Sequence, residues 1–226
     1  MQVTLNVKRF NPEQDDSESF FQDYTLDVED YSTVLDALIK VREDMDESLA
    51  LRCSCRAAIC GSCAMRVNGH AKLVCKTKSK DVCTSSDNYI TVEPMGNMPV
   101  VKDLVPDLTQ AYAQYTSIKP WLQADTQAPG TERLQSPEER EKLDGLWECV
   151  LCFSCSTSCP SYWWNSDRYL GPAALLQAYR WLVDSRDEGT GERLDELEDP
   201  FRLYRCCLLY TSPSPRDATL SRMPSS

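Results

Sequence analysis

Twelve of the 226 residues are cysteine and one is histidine, and the placement of those thiols restricts the fold more than any other feature. Eight of them fall into two dense groups of four, Cys55 to Cys75 and Cys149 to Cys159. The opening MQVTLNVKRF alternates like a strand and lacks the apolar stretch of a signal peptide. The thiols are therefore expected in a reducing compartment, where disulfides rarely persist and tight cysteine groups hold metal.

The first group reads Cys55-x4-Cys60-x2-Cys63, with Cys75 after eleven intervening residues. This is plant-type [2Fe–2S] spacing with its distant fourth ligand. A cluster is a compact anionic object, so a tight loop must wrap it with three thiolates. Gly61 lets the backbone approach closely, and loop N–H groups can donate to sulfur. Zinc, the bland alternative, prefers paired short spacings that this triplet lacks. The second group, Cys149-x2-Cys152-x2-Cys155-x3-Cys159-Pro160, is the bacterial ferredoxin run. Its fourth cysteine points at a different cluster from the first three, so the run predicts two clusters. Cys206 is the candidate for a ligand they lack. Cys53 and Cys83 lie off both patterns and read as small buried apolar residues. His70, the lone histidine, follows a turn and reads as an exposed side chain.

Around the first group the pattern is strand, strand, helix, cysteine loop, strands. Val3, Leu5 and Val7 alternate, and a second strand is expected over Phe21 to Val28. Ser32 or Thr33 can cap a helix that carries Val34, Leu35, Leu38, Val41 and Met45 on one face. Ala64 to Asn68 and His70 to Cys75 pair across Asn68-Gly69, and Tyr89 to Glu93 closes a small mixed sheet. From about Pro106 the chain turns helical. Ser136-Pro137-Glu138-Glu139 starts a helix that should deliver the chain to Cys149. A second helix begins near Gly171-Pro172 with Leu175, Leu176, Tyr179, Leu182 and Val183. A third is expected from Asp195 or Pro200 towards Cys206. Residues 124 to 135 are polar and loop-like.

A formal charge of −11 argues against nucleic acid, whose phosphates would repel such a surface. No apolar run approaches the roughly 18–20 residues that cross a bilayer. Membrane contact would have to come through partners.

Both motifs in this order, in an acidic chain of this size, resemble the iron–sulfur subunits of the succinate dehydrogenase and fumarate reductase family. The likeness covers roughly residues 1 to 206. It extends to Arg56, to Cys155-Ser-Thr-Ser-Cys159-Pro160-Ser-Tyr-Trp163-Trp164, to Gly171-Pro172-Ala173 and to Asp184-Ser185-Arg186-Asp187. The tryptophan pair and its flanks look more like bacterial succinate dehydrogenase than fumarate reductase. The resemblance implies an α+β chain: a plant-type ferredoxin (β-grasp) domain over residues 1–105, then an all-α bacterial-type ferredoxin domain over 106–206. It implies an oxidoreductase subunit with no substrate chemistry of its own. Electrons would pass from the FAD of a flavoprotein partner to quinone beside membrane-anchor subunits, in the citric acid cycle and respiratory chain. The family's ligand sets, carried onto this sequence, put [2Fe–2S] on Cys55, Cys60, Cys63 and Cys75. They put [4Fe–4S] on Cys149, Cys152 and Cys155, and [3Fe–4S] on Cys159 and Cys206. Trp164, with Pro160, matches the quinone pocket. The chain would lie peripherally on the cytoplasmic face of the inner membrane, held by its anchors.

After Cys206 the likeness stops. Family members continue with a histidine and two more cysteines, where this chain has Cys207-Leu-Leu-Tyr and a segment in which eight of residues 211–226 are serine or proline. Residues 207–226 are therefore expected to be a non-native tail, from a frameshift or read-through. The second and third sites would each be one thiolate short. Three other readings compete: a fumarate reductase subunit running the same wire in reverse, a structural zinc module, and a stand-alone ferredoxin. Direction depends on cluster potentials and quinone type, which the sequence does not encode legibly.

Overall fold

The computed structural model describes residues 1–13, 18–83, 88–127 and 129–205. It divides into two compact units, Met1–Thr109 with Val150–Thr157, and Gln110–Cys149 with the chain from Ser158 onward. The return of Val150–Thr157 to the first unit is not anticipated by a single boundary at residue 105.

In the first unit, β1 (Gln2–Arg9) and β2 (Phe20–Asp27) form an antiparallel pair with Leu5 opposite Tyr24. Helix α1 (Val34–Asp44) follows. The hairpin β3 (Ala64–Val67) and β4 (His70–Leu73) comes after the cysteine loop. A one-turn helix α2 (Ser79–Val82) leads to β5 (Tyr89–Glu93). A separate two-stranded ribbon joins β6 (Val100–Lys102) to β7 (Val105–Pro106). The main sheet has the order β2-β1-β5-β3-β4, with β1 and β5 parallel and the other pairs antiparallel.

The period of two in β1 buries Val3, Leu5 and Val7 on one face. Helix α1 covers that face with Val34, Leu35, Leu38 and Val41. It starts at Thr33, not Ser32: the Thr33 hydroxyl accepts from the Asp36 N–H, and the Asp36 carboxylate accepts from the Thr33 N–H. Met45 departs from expectation. It sits past the last turn, half exposed, because the helix ends one residue earlier.

Helix α3 (Thr109–Ser117) opens the helical half, and α4 (Pro137–Glu141) begins at the Ser136 capping box. Within the segment that rejoins the first unit lies α5 (Ser154–Thr157). The second unit then holds α6 (Pro160–Asn165), α7 (Gly171–Leu182) and α8 (Thr190–Leu197). Among the described residues every regular element of this unit is a helix. Two expectations need correction here. Helix α4 does not carry the chain to Cys149, because it stops at Glu141 and turns around Gly145 (φ +82°) replace it. Helix α7 starts at Gly171-Pro172 as expected; it buries Ala173, Ala174, Gln177 and Ala178, packs Leu175 and Leu182 against the core and leaves Tyr179 54% exposed. The last helix spans Thr190–Leu197 rather than starting at Asp195 or Pro200, since Pro200 disfavours helical geometry at Asp199. Asp199 instead accepts from the N–H groups of Phe201 and Arg202 in a turn.

Candidate metal centre

The segment from Cys55 to Cys63 has no regular structure, and its shape comes from left-handed backbone at Arg56 (φ +55°), Ala58 (φ +58°) and Gly61 (φ +70°). Left-handed residues two apart turn successive N–H groups into one concavity, an arrangement suited to anions. Those donors find sulfur. The N–H groups of Ala57, Ile59 and Cys60 all donate to Cys55 Sγ at 3.3 Å, and Ala58 donates to Cys75 Sγ at 3.2 Å.

Pairing in the hairpin explains how a distant fourth thiol reaches the loop. Cys63 immediately precedes β3 and Cys75 follows β4, while Ala64 lies opposite Leu73. The Val74 N–H then donates to the Cys63 carbonyl at 3.2 Å, which sets Cys63 and Cys75 side by side. Cys55 Sγ accepts from the Cys60 N–H and Cys75 Sγ from the Ala58 N–H, so the loop and the hairpin end bring their sulfurs into one neighbourhood. All four sequence-predicted residues of the first group therefore converge. Cys63 and Cys75 are buried, and Cys55 and Cys60 are exposed.

Environment separates the thiols. Cys60 shares a 3.0 Å hydrogen bond with Ser62, whose hydroxyl, helped by bonds with Cys55, pulls its pKa down to about 6. Burial pushes Cys63 up to about 11. One sulfur is thus ready as a thiolate near neutral pH, while another gives up its proton only to a metal that replaces it. Among the described residues no three His, Cys, Asp or Glu side chains close to single-ion spacing. A polynuclear core distributes its thiolates over several irons, and the N–H donors to sulfur suit that group. The N–H donors are those expected of such a loop, whereas Ser62 carries no sequence signal, since spacing marks ligands and not what solvates them.

The second run is distributed over both units. In the first unit Leu151 (φ +53°) and Phe153 (φ +57°) repeat the left-handed alternation, and buried Phe153 anchors the segment. Cys152 is half-buried and its thiol donates to Ser154 Oγ at 3.3 Å, while Cys155 is exposed at the start of α5. The Asn97 side-chain amide ties the segment down by donating to the Thr157 carbonyl at 3.2 Å. Cys149 belongs to the second unit, half-buried, with its N–H on the Leu146 carbonyl at 3.4 Å. Cys159 is also in that unit, buried beside Tyr162 and Tyr169 at the entry to α6, with Pro160 in the first helical position. Trp164 stands on α6, 78% exposed. Cys206, Cys207 and the tail lie outside the described residues. Cys53 and Cys83 pack against the first unit's core, and His70 is exposed at the head of β4. Among the described residues no helix is long and apolar enough to cross a membrane.

Comparison with known proteins agrees with this geometry. Residues 4–113 match the family described as a 2Fe-2S iron-sulfur cluster binding domain. The chain is 54% identical over 203 residues to the succinate dehydrogenase iron-sulfur subunit of Paracoccus denitrificans, covering 89% of this chain and 76% of that one. It is similar to a chain of the Mycobacterium smegmatis Sdh1 complex in its apo form, with a TM-score of 0.76 at 27% identity over 92% of this chain and 86% of the other. A hypothetical protein from Helicobacter pylori shares the fold, with a TM-score of 0.50 at 16% identity over 89% of this chain and 33% of that one. With the iron–sulfur loop built as it is and the likeness running through both units, the chain belongs to the family of succinate dehydrogenase iron–sulfur subunits.

Proposed function

We propose that this chain is the electron relay of a succinate:quinone oxidoreductase, accepting electrons from the FAD of a flavoprotein subunit and passing them to quinone beside membrane anchors. Bound clusters supply one-electron carriers, and the polypeptide supplies their seats. Cys55, Cys60, Cys63 and Cys75 hold [2Fe–2S]. Cys149, Cys152 and Cys155 hold [4Fe–4S], and Cys159 with Cys206 serves [3Fe–4S] in a bacterial-type ferredoxin domain. Pro160 and the exposed Trp164 face the quinone. The chain sits peripherally on the cytoplasmic face of the inner membrane.

One observation carries this reading most directly. Four backbone N–H groups donate to Cys55 and Cys75 sulfur in a loop whose remaining thiols lie alongside. Such donors stabilise the more negative, reduced state of an anionic cluster without any proton changing hands. Exposure of Cys55 and Cys60 leaves the loop's outer side open to a partner that delivers electrons.

Electron paramagnetic resonance on the anaerobically purified chain, with iron and acid-labile sulfide assays, tests the proposal. The expected result is a [2Fe–2S] signal on dithionite reduction that disappears in Cys75→Ser and persists in Cys53→Ser. A colourless protein with stoichiometric zinc and no paramagnetic signal would overturn it.

A further inference from the structure

We propose that Gly61 sets the separation between the two cysteine segments of the first unit, and with it the spacing of the clusters they would hold. Within that unit the first loop meets the second at this residue. A β-carbon added at Gly61 would stand 2.7 Å from the Val150 carbonyl oxygen, 3.0 Å from Cys152 Cβ and 3.1 Å from Cys152 Cα. The nearest of these atoms is backbone, so no side-chain rotation relieves the contact. Either the first loop or the Val150–Thr157 segment would have to withdraw. The segment is held from its other end by the Asn97 amide on the Thr157 carbonyl, and Thr157 N–H closes the turn on Phe153. Withdrawal would therefore fall on Val150 to Cys152, the part that carries a proposed ligand.

Any glycine at positive φ is strained by a side chain, so collision must be separated from strain. Gly69 provides the control. Its φ is +80°, against +70° at Gly61, and a β-carbon there would meet nothing within 4 Å. Gly69→Ala brings the backbone strain alone, whereas Gly61→Ala brings strain and contact with Val150 and Cys152. Because tunnelling weakens steeply with distance, a residue that fixes this approach is a positioning residue for the relay.

The inference rests on the proposed cluster assignments, and two readouts on the full-length chain keep its failure distinct from theirs. The first is amide exchange of Val150–Thr157 before cluster loading, expected to be several-fold faster in Gly61→Ala and unchanged in Gly69→Ala. The second is microwave-power saturation of the reduced [2Fe–2S] signal in the loaded complex. With the neighbouring cluster further away, relaxation enhancement should diminish in Gly61→Ala while the line positions stay put, and Gly69→Ala should behave as wild type. Unchanged saturation in Gly61→Ala with both clusters loaded, or equal effects in the two variants, overturns the inference. If Gly61→Ala loads no second cluster, exchange decides, and wild-type exchange rates overturn it. Wild-type protein without clusters would instead sink the functional reading.

Discussion

Arg9 buries a guanidinium charge and meets it with Asp103 (2.9 Å), Asp46 (2.5 Å), Gln22 (3.0 Å), Ser48 (2.8 Å) and the Tyr24 hydroxyl. The cluster ties the sheet to the segment entering the cysteine loop, because Asp103 also accepts from the Ala50 and Phe10 N–H groups. Hydrogen bonds from Ser48, then Tyr24, then Arg9 hold the Asp46 carboxyl well below the usual carboxylate range. Burial and the Asp46 bond push the Tyr24 phenol up to about 12, so it remains a donor at working pH. A depressed carboxylate stabilises the fold fully above its unfolded value and loses that contribution as pH falls towards the folded one. Asp46→Asn should therefore cost about 1–3 kcal/mol at pH 7 by leaving charged and polar partners under-satisfied. The gap to wild type should narrow progressively below roughly pH 4. Urea unfolding of both proteins at several pH values measures this, and a gap that stays constant with pH contradicts it. Sequence period places position 9 on the buried face with Val3, Leu5 and Val7, but names no partner. Asp103 lies 94 residues away, and pairing over that distance leaves no local trace.

At the scale of elements, legibility tracks periodicity. The strands β1 and β5 and the Asn68-Gly69 hairpin are readable because alternation and turn chemistry are local. The ribbon of β6 and β7, three residues and two, is too short to show a period and is absent from the sequence reading. Helix α8 lies earlier than the expected start at Asp195 or Pro200: Gly189 serves as its entry and Arg193 holds it through tertiary contacts. Arg193 donates to both oxygens of buried Asp187, at 3.0 and 2.7 Å, and to the carbonyls of Ile118, Lys119 and Trp121. Asp187 in turn accepts from the N–H groups of Gln123 and Gly189. One side chain thus docks α8 onto the irregular stretch after α3. Arg193→Met should destabilise by about 3–5 kcal/mol, since it strands a buried carboxylate and three carbonyls. The double variant Arg193→Met/Asp187→Leu should recover part of that loss, as the uncompensated charge is then gone. Chemical denaturation compares the two, and a double variant no more stable than Arg193→Met alone would refute the account.

For the whole molecule the decisive question is whether the fold needs its metal. Many small metal domains are unfolded without it, so that binding energy is folding energy. The first unit differs, because most of its core is aliphatic: Val3, Leu5, Val7, Val34, Leu35, Leu38, Ile90 and Val92 pack together between sheet and helix, with Cys63 and Cys75 at the edge of the same cluster. The spacing of cysteines carries the expectation of iron–sulfur binding, and the alternation of apolar residues shows what holds the first loop up; the two signals are separate in the sequence because they do separate physical jobs. Iron should therefore add stability to an already folded chain by mass action, in proportion to its affinity. Three outcomes follow for anaerobic urea unfolding followed by circular dichroism. Wild-type protein stripped by a chelator should still unfold cooperatively, at a lower midpoint than the loaded form. Cys75→Ser should unfold cooperatively at or slightly below the midpoint of the stripped wild type, because Cys75 is buried but lies outside the hairpin pairing. Adding ferric iron and sulfide, which already carry the oxidation states of an oxidised [2Fe–2S] core, should then raise the wild-type midpoint, with little of that gain in Cys75→Ser. A stripped chain with no cooperative transition would mean that the sheet and helix cannot stand alone, and that cluster and fold form together.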